Sequence, residues 1–330
     1  MEFVFFSIHN EVCCKYAAVH SEEYYNYVAA AAMEHGYLVS NIARYGDGKK
    51  VREKSEIFDE ARLDENAQVC FIFYERFPFS FDRDYLAYIR DKYPNGILCL
   101  VFSNCASTCD SNVAAYEAMQ DLYDFAITFN QADAQKYGFK YYPCDLGVFS
   151  LPEMEMPSGE YKSDLFFAGV NKGRLPLLLE IYEEMTKRGF VCDFHITQVP
   201  EEEQQYKDKI HYNCYLPYDQ VIEGAAKSRA ILEILVNHEN YCSLRTNEAI
   251  RYNKYLITTN QTVFKEDFYH PDWVNIISGA EDIDYAMFAP ERQMPHYETD
   301  WGSVERFCRF LLREIEADHK NMRSGEELPC

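Results

Sequence analysis

The chain is short of glycine, tryptophan and positive charge, and it contains no long apolar run. Of its 330 residues, 14 are Gly, 2 are Trp and 32 are Lys or Arg, against 54 Asp or Glu. The net charge of −22 sets up a field that repels phosphate backbones and anionic lipid surfaces, which argues against nucleic acid or an anionic membrane face as a partner. It leaves room for a local basic pocket around a phosphorylated ligand. Nowhere do about 18 or more apolar residues follow one another, so no membrane-spanning helix is expected. The N-terminus, MEFVFFSIHNEVCC, carries Glu2 where a secretory leader would carry basic residues. It reads as a first strand, and a cytoplasmic protein is the expectation. Residues 46–50, GDGKK, lack the spacing of a phosphate loop. No repeat of about 20–50 residues recurs. Zinc-ligand spacing is missing as well: Cys105 and Cys109 flank AST, with no second Cys or His pair at a fitting distance, so structural thiols are the simpler reading.

What the chain does have is aromatic bulk, with 27 Tyr and 23 Phe, and 12 Cys. Cys70, Cys99 and Cys192 sit in apolar strand-like segments, where cysteine acts as a small hydrophobe. The length suffices for two domains with a large core. Short apolar runs over 3–8, 69–74, 97–102 and 125–129 alternate with helical patterns over 22–34, 84–93, 111–120 and 131–137, and residues 37–42 and 140–143 add short strands. Such alternation predicts a parallel sheet covered by helices on both faces. Residues 147–164, with two prolines and no period, read as a linker. The alternation then restarts with strands at 165–168, 191–197 and 212–216 and helices at 174–187 and 217–226. The expected organisation is therefore α/β, with two Rossmann-like domains over 1–148 and 164–300, a linker at 149–163, a helix at 301–318 that can pack back on the first domain, and a disordered tail at 319–330.

The stretch richest in chemistry is ILEILVNHENYCSLRTNEAIRYNKYLITTN, residues 231–260. It reads as strand (231–236), loop (237–243), helix (244–252) and strand (255–258). In open parallel sheets ligands bind outside the carboxyl ends of strands, where such helices begin. A helix start offers unpaired N–H groups and a positive dipole end to an anion. Ser243, Arg245 and Thr246 add hydroxyls and a forked cation, which suit a diphosphate. Glu248, one turn in, can accept hydrogen bonds from a ribose diol. An Arg and a Glu three apart on a helix are also an ordinary surface ion pair.

Other candidates are weaker. His9 and Glu11 follow the first strand, where a base could deprotonate an acceptor hydroxyl; a surface-loop histidine is the bland alternative. Asn104 has similar standing. His195 and Thr197 close a strand of the second domain, and Tyr218 begins a helix near the same edge. The triplets Asp82-Arg83-Asp84 and Asp282-Ile283-Asp284 match an Asp-x-Asp metal signature, but in so acidic a chain they arise by chance.

Three segments resemble GT-B-type glycosyltransferases, and among them the sugar transferases of bacterial capsule and surface-polysaccharide clusters. These are YDFAITFNQADAQKYGFKYY (123–142), DLFFAGVNKGRL (164–175) and, the most specific, CSLRTNEAIRYNKYLITTN (242–260). The last is similar to a pattern of Leu-Thr-x-Arg-x-x-Glu-Ala followed by Leu-Ile-Thr-Thr-Asn. The resemblance implies two Rossmann-like domains facing a cleft, a nucleotide-sugar donor on the second, a saccharide or lipid-linked glycan acceptor on the first, and neither metal nor cofactor. By position, Glu248 would hold the ribose and Arg245 with Ser243 the diphosphate. Gly169 would let backbone approach the ligand, and Lys172 or Arg174 would balance leaving-group charge. The implied nucleotide-sugar set is Gly169, His195, Thr197, Tyr218, Ser243, Leu244, Arg245, Thr246 and Glu248. The chain departs from the pattern at Glu239 and Tyr241, where Gln and Gly are usual, and at Asn240, which replaces the first Glu of a Glu-x7-Glu spacing. These departures also allow a non-catalytic nucleotide- or saccharide-binding protein, and the two-domain architecture also serves nucleotide-sugar epimerases.

Overall fold

The computed structural model describes residues 2–6, 69–75, 80–108, 110–144, 161–214, 216–236 and 240–325. His9, Glu11, the elements expected over 22–62 and most of the expected linker lie outside the described residues. The chain divides into two compact units, Met1–Pro152 with Gly302–Cys330, and Glu153–Trp301. Each is built on a parallel sheet with helices, the Rossmann-like α/β organisation.

In the first unit the described strands are β1 (Glu2–Phe6), β2 (Val69–Tyr74), β3 (Ile97–Phe102), β4 (Phe125–Thr128) and β5 (Lys140–Tyr141). They pair in that order, all parallel. β2 and β3 are buried at every position, as unbroken apolar runs require when both sheet faces are covered. Phe71, Phe73, Leu98, Leu100 and Phe102 pack against Tyr85, Leu86 and Ile89 of α1 (Arg83–Lys92) and Val113 and Tyr116 of α2 (Asp110–Glu117). α2 begins at Asp110, one residue before the expected start, and tight turns from Met119 to Tyr116 and from Leu122 to Met119 end it three residues early. α3 (Gln131–Tyr137) starts where Asn130 accepts from the Ala132 and Asp133 N–H groups and stops at Gly138, whose φ of 73° suits glycine.

The second unit holds β6 (Ser163–Val170), α4 (Leu175–Lys187), β7 (Cys192–Thr197), β8 (His211–Tyr212), α5 (Tyr218–Ala226), β9 (Ser228–Glu233), α6 (Leu244–Arg251), β10 (Tyr255–Thr258) and β11 (Val274–Ile276). The strand order is β11-β10-β9-β6-β7-β8, all parallel. The chain winds outward from β6 to β8, then returns to the other side of β6 and winds outward again to β11. The topological switch point therefore lies between β6 and β9, and crevices form there, at the carboxyl ends. Leu165, Phe167, Phe194, Ile196, Leu232 and Ile257 face α4, packing on Leu178, Ile181 and Met185. Phe166 faces the opposite way, against α5; a Cβ on Gly224 would stand 2.4 Å from its ring.

Three expectations are corrected. β9 runs over Ser228–Glu233 rather than 231–236: Ser228 pairs with Ser163, while the apolar Ile234 and Leu235 continue beyond the ladder. β8 is two residues long, because Asn213 takes a left-handed φ of 54° and its amide binds the Val199 N–H and C=O at 3.0 and 2.8 Å. The C-terminal helix, α7 (Val304–Gly325), extends past the expected tail boundary at 319, through Lys320, Met322 and Arg323, all good helix formers. α7 belongs to the first unit, where Tyr142 packs on Phe307 and Phe310 and Lys140 reaches Glu314 at 3.1 Å.

Lys254, just after α6, is fully buried and its Nζ has no hydrogen-bond partner; it stands 4.7 Å over the Tyr161 ring. Burial pushes its pKa down from 10.5 to about 8. The folded chain gives up this proton before the unfolded chain does. Between pH 8 and 10.5 the unfolded state therefore binds more protons, and stability rises with pH by up to about 3 kcal/mol. Lys254→Met is expected to be more stable than the parent at neutral pH and to lack this rise. Urea denaturation of both proteins at neutral pH and near pH 10 checks it, since the difference cancels the tyrosines.

Candidate functional site

The carboxyl ends of β9 and β10 and the start of α6 are cross-braced by one carboxylate. Glu233, the last residue of β9, is 1% exposed. Its Oε1 accepts from the Ser243 N–H (3.1 Å), the Ser243 hydroxyl (2.5 Å) and the Thr246 hydroxyl (2.8 Å); its Oε2 accepts from the Thr258 hydroxyl (2.5 Å). Ser243 is also the N-cap of α6, accepting from the Arg245 N–H at 3.2 Å. Thr258 Oγ1 accepts from Asn260 N–H (2.9 Å), and Asn260 Nδ2 donates to the Tyr241 carbonyl (3.0 Å). The loop before α6 and the end of β10 thus hold each other. Asn253, in the left-handed region (φ 52°), and the bond from Lys254 N–H to Ala249 O (2.8 Å) close the other end of α6.

On this frame two guanidinium groups reach across the switch point in opposite directions. Arg245, on α6, donates from Nη2 to the Ala168 carbonyl of β6 at 2.7 Å and from Nη1 to Glu248 Oε1 at 2.5 Å. Arg174, at the start of α4, donates from Nη1 to the Ile234 carbonyl beyond β9 at 2.8 Å, from Nε to Asn171 O at 3.3 Å, and from Nη2 to Val170 O. Its guanidinium lies 5.2 Å over the Phe167 ring. Burial first, and the nearby charge of Arg245 second, push Arg174 down to about 10. Among the described residues no carboxylate stands within ion-pair distance of Arg174. Gly169 lies beneath: a Cβ there would meet Arg174 Nη2 at 3.0 Å and the Phe167 ring at 3.3 Å. Two cations brought close beside a helix start are groups suited to an anion.

The structure thus brings together Gly169, Arg174, Ser243, Arg245, Thr246 and Glu248. Glu248 is fully buried and paired with Arg245, not a surface ion pair. The fully buried Thr246 directs its hydroxyl to Glu233, so its place is in the frame rather than at a ligand. Leu244 is half-buried in the first turn of α6, and Lys172 is exposed with a left-handed φ of 43°. Tyr218 is the first residue of α5. Thr197 ends β7, its carbonyl accepting from Asn171 N–H at 2.8 Å. His195 is two residues short of that end, with Nε2 2.8 Å from Asp193 Oδ1 and its ring stacked on His211 at 4.4 Å. The two Asp-x-Asp triplets are turn caps: Asp82 accepts from Tyr85 N–H, Asp282 from Ser278 and Gly279 N–H, and Asp284 from Ala286 N–H. No disulfide joins the described cysteines, Cys105 among them.

No protein-family model and no curated protein matches the chain. Among solved structures it is similar to a UDP-N-acetylglucosamine 2-epimerase from Rickettsia bellii, with 13% identity, 96% of each chain covered and a TM-score of 0.39. It is similar also to the glycotransferase of kitacinnamycin, with 10% identity, 87% of each chain covered and a TM-score of 0.39. Likeness at this level speaks to neither substrate nor reaction. No described helix is long and apolar enough to cross a membrane.

Two functional-looking carboxylates escaped the sequence reading. One is Glu233. The other is Glu75, at the carboxyl end of β2 and 4% exposed. Its Oε1 accepts from Ser103 Oγ (3.1 Å) and Asn104 Nδ2 (2.6 Å), while its Oε2 has no hydrogen-bond partner. Asn104, singled out from sequence, thus orients an acid rather than standing alone. Both acids share one signal, a lone Glu in or directly after an apolar run: VCFIFYE and AILE.

Proposed function

We propose that the protein is a glycosyltransferase of the GT-B type, which moves a sugar from a nucleotide-sugar donor to a saccharide or lipid-linked glycan without a metal. The observation that carries this reading is the pair Arg174 and Arg245. They cross the switch point of the second unit beside the α6 N-terminus, and among the described residues no carboxylate pairs with Arg174. A departing nucleoside diphosphate supplies the missing negative charge, and preorganised cations stabilise that charge most as it develops. Arg245 and the α6 start hold the phosphoryl groups, Arg174 or Lys172 takes up leaving-group charge, and Gly169 keeps the backbone clear. Glu248 holds the ribose when Arg245 swings to the diphosphate. His195 and Thr197 lie at the edge where a base would rest.

The acceptor is assigned to the first unit, whose Glu75 has an oxygen free to take a hydroxyl proton or hold it by a hydrogen bond. Glu75→Gln is expected to lower turnover by about 10²–10⁴-fold and to leave nucleotide binding unchanged.

The deciding experiment is calorimetry with UDP, GDP, CDP and CMP sugars, followed by turnover with a glycan acceptor. Saturable binding of one of them that is lost in Arg174→Ala supports the site. Silence across the panel at millimolar concentration defeats it. Binding without turnover would make the chain a non-catalytic nucleotide- or saccharide-binding member of a glycan assembly complex. Conversion of the donor with no acceptor present would make it an epimerase.

A further inference from the structure

A second cluster lies on the same sheet, on the far side of β6 from β9. Asp193 and His195 are two residues apart on β7, so their side chains share one face. His211 of β8 is the register partner of His195. Two positions on one strand and the one directly opposite on its neighbour form a triangle whose side chains can converge. Here they do: Asp193 Oδ1 is 2.8 Å from His195 Nε2 and 4.0 Å from His211 Nε2, and one ligand atom from each of the three lies within 4.8 Å of the others. The imidazoles are stacked with centroids 4.4 Å apart and planes at 12°. The side chains of His195, Asp193 and His211 are 16%, 33% and 57% exposed, so the set is anchored on the inside and open on the outside.

We propose that Asp193, His195 and His211 bind one late first-row divalent cation, zinc being representative, with a coordination position left open to solvent. Two imidazole nitrogens and one carboxylate oxygen are the donor set that borderline-soft ions prefer and that calcium and magnesium do not. Bonds of about 2.0–2.1 Å in a tetrahedral site put ligand atoms about 3.3 Å apart. Asp193 Oδ1 sits within about 0.7 Å of that separation from either ring nitrogen. Closing the set requires only that the His211 ring turn out of its stack, and its exposure on a two-residue edge strand permits that. Lys162, whose charge acts on Asp193, is also drawn to Glu223 at 3.5 Å. The net charge of −22 concentrates cations around the protein. The ion would clamp β8 to β7 beside β6, where His195 registers with Ala168, whose carbonyl accepts Arg245. The donor set shares no residue with the Arg174 and Arg245 pair, but His195 is common to both readings: as a ligand here it would no longer be available to a nucleotide base, so metal binding is read separately from nucleotide binding.

The test uses the full chain, stripped with chelator and titrated with cobalt(II), then with zinc. The expected result is one cobalt per chain with the visible bands of a four-coordinate nitrogen and oxygen site, displaced by zinc, a rise in melting temperature with either ion, and no response to magnesium. His211→Ala, a change at a half-exposed edge, should keep the metal-free melting temperature and bind at least about 100-fold more weakly, since loss of even an outer-sphere partner costs about 10–100-fold. Asp193→Asn should behave likewise, and Cys214→Ser, at an exposed cysteine three residues past His211, should bind as the parent does. The proposal is overturned if no saturable one-to-one binding occurs at micromolar metal, if His211→Ala retains full affinity, or if the parent's cobalt spectrum shows thiolate charge-transfer bands that vanish in Cys214→Ser. The parent's spectrum decides the question even if a variant folds poorly.

Discussion

Replacing Glu233 by alanine is expected to abolish nucleotide binding and to destabilise the protein by about 3–5 kcal/mol, although no role at the ligand is assigned to it. The reason is the number of donors it gathers. Four of them, from Ser243, Thr246 and Thr258, converge on its two oxygens in a position 1% exposed. A buried donor left without an acceptor costs about 1–3 kcal/mol. Hydroxyls can rotate toward other acceptors, so the sum falls short of four full penalties. The loss of binding follows from geometry: without Glu233, Ser243 no longer fixes the first turn of α6, and Arg245 leaves the switch point. Glu233→Gln keeps one acceptor oxygen and puts an NH2 group where the other accepted, so it should cost less and retain weak binding. Chemical denaturation and calorimetry on the same samples check both effects. A Glu233→Ala protein that binds nucleotide like the parent would show that the frame does not position the site.

What could be read from the sequence follows from what periodicity encodes. β2 and β3 match expectation to the residue, because a strand buried on both faces is an apolar run with sharp ends. α3 was legible at both ends through Asn130 and Gly138. β9 was misplaced for the same reason that β2 was easy: the apolar run Ile231–Leu232, Ile234–Leu235 continues past the ladder, and the acid inside it marks the true end. The site divides similarly. Arg245 and Glu248 announce themselves as a charged pair on a helix start. That Arg174 comes from a different element to meet Arg245 depends on strand order, which a single sequence does not carry. Glu233 and Glu75 were passed over because a residue type says nothing about which hydroxyls will surround it. The Asp193, His195 and His211 triangle depends on the register of β7 with β8, and β8 is too short to have a periodicity.

Arg245→Ala and Glu248→Ala, made singly and together, separate stability from recognition at the switch point. Glu248 is fully buried and paired with Arg245 at 2.5 Å, while the Arg245 side chain is 20% exposed. Removing the arginine alone leaves a carboxylate in the interior, which costs about 3–5 kcal/mol. Removing the glutamate alone takes a carboxylate away from Arg245 beside Arg174, whose pKa the Arg245 charge already depresses, and so strengthens the repulsion between the two cations. The glutamate-free protein is therefore expected to lose stability as well, and to recover it when a diphosphate is added at millimolar concentration, because the anion replaces the lost charge. The double variant removes the pair as a unit, so its destabilisation should be well below the sum of the singles, by about 1–3 kcal/mol of coupling. Recognition should not recover with it. Charge-assisted hydrogen bonds contribute about 1.5–3 kcal/mol each, so nucleotide affinity should fall at least about tenfold in Arg245→Ala and stay low in the double variant. A cycle in which affinity returns together with stability would mean that the ion pair matters only for folding, and Arg174 alone would then have to account for the anion site.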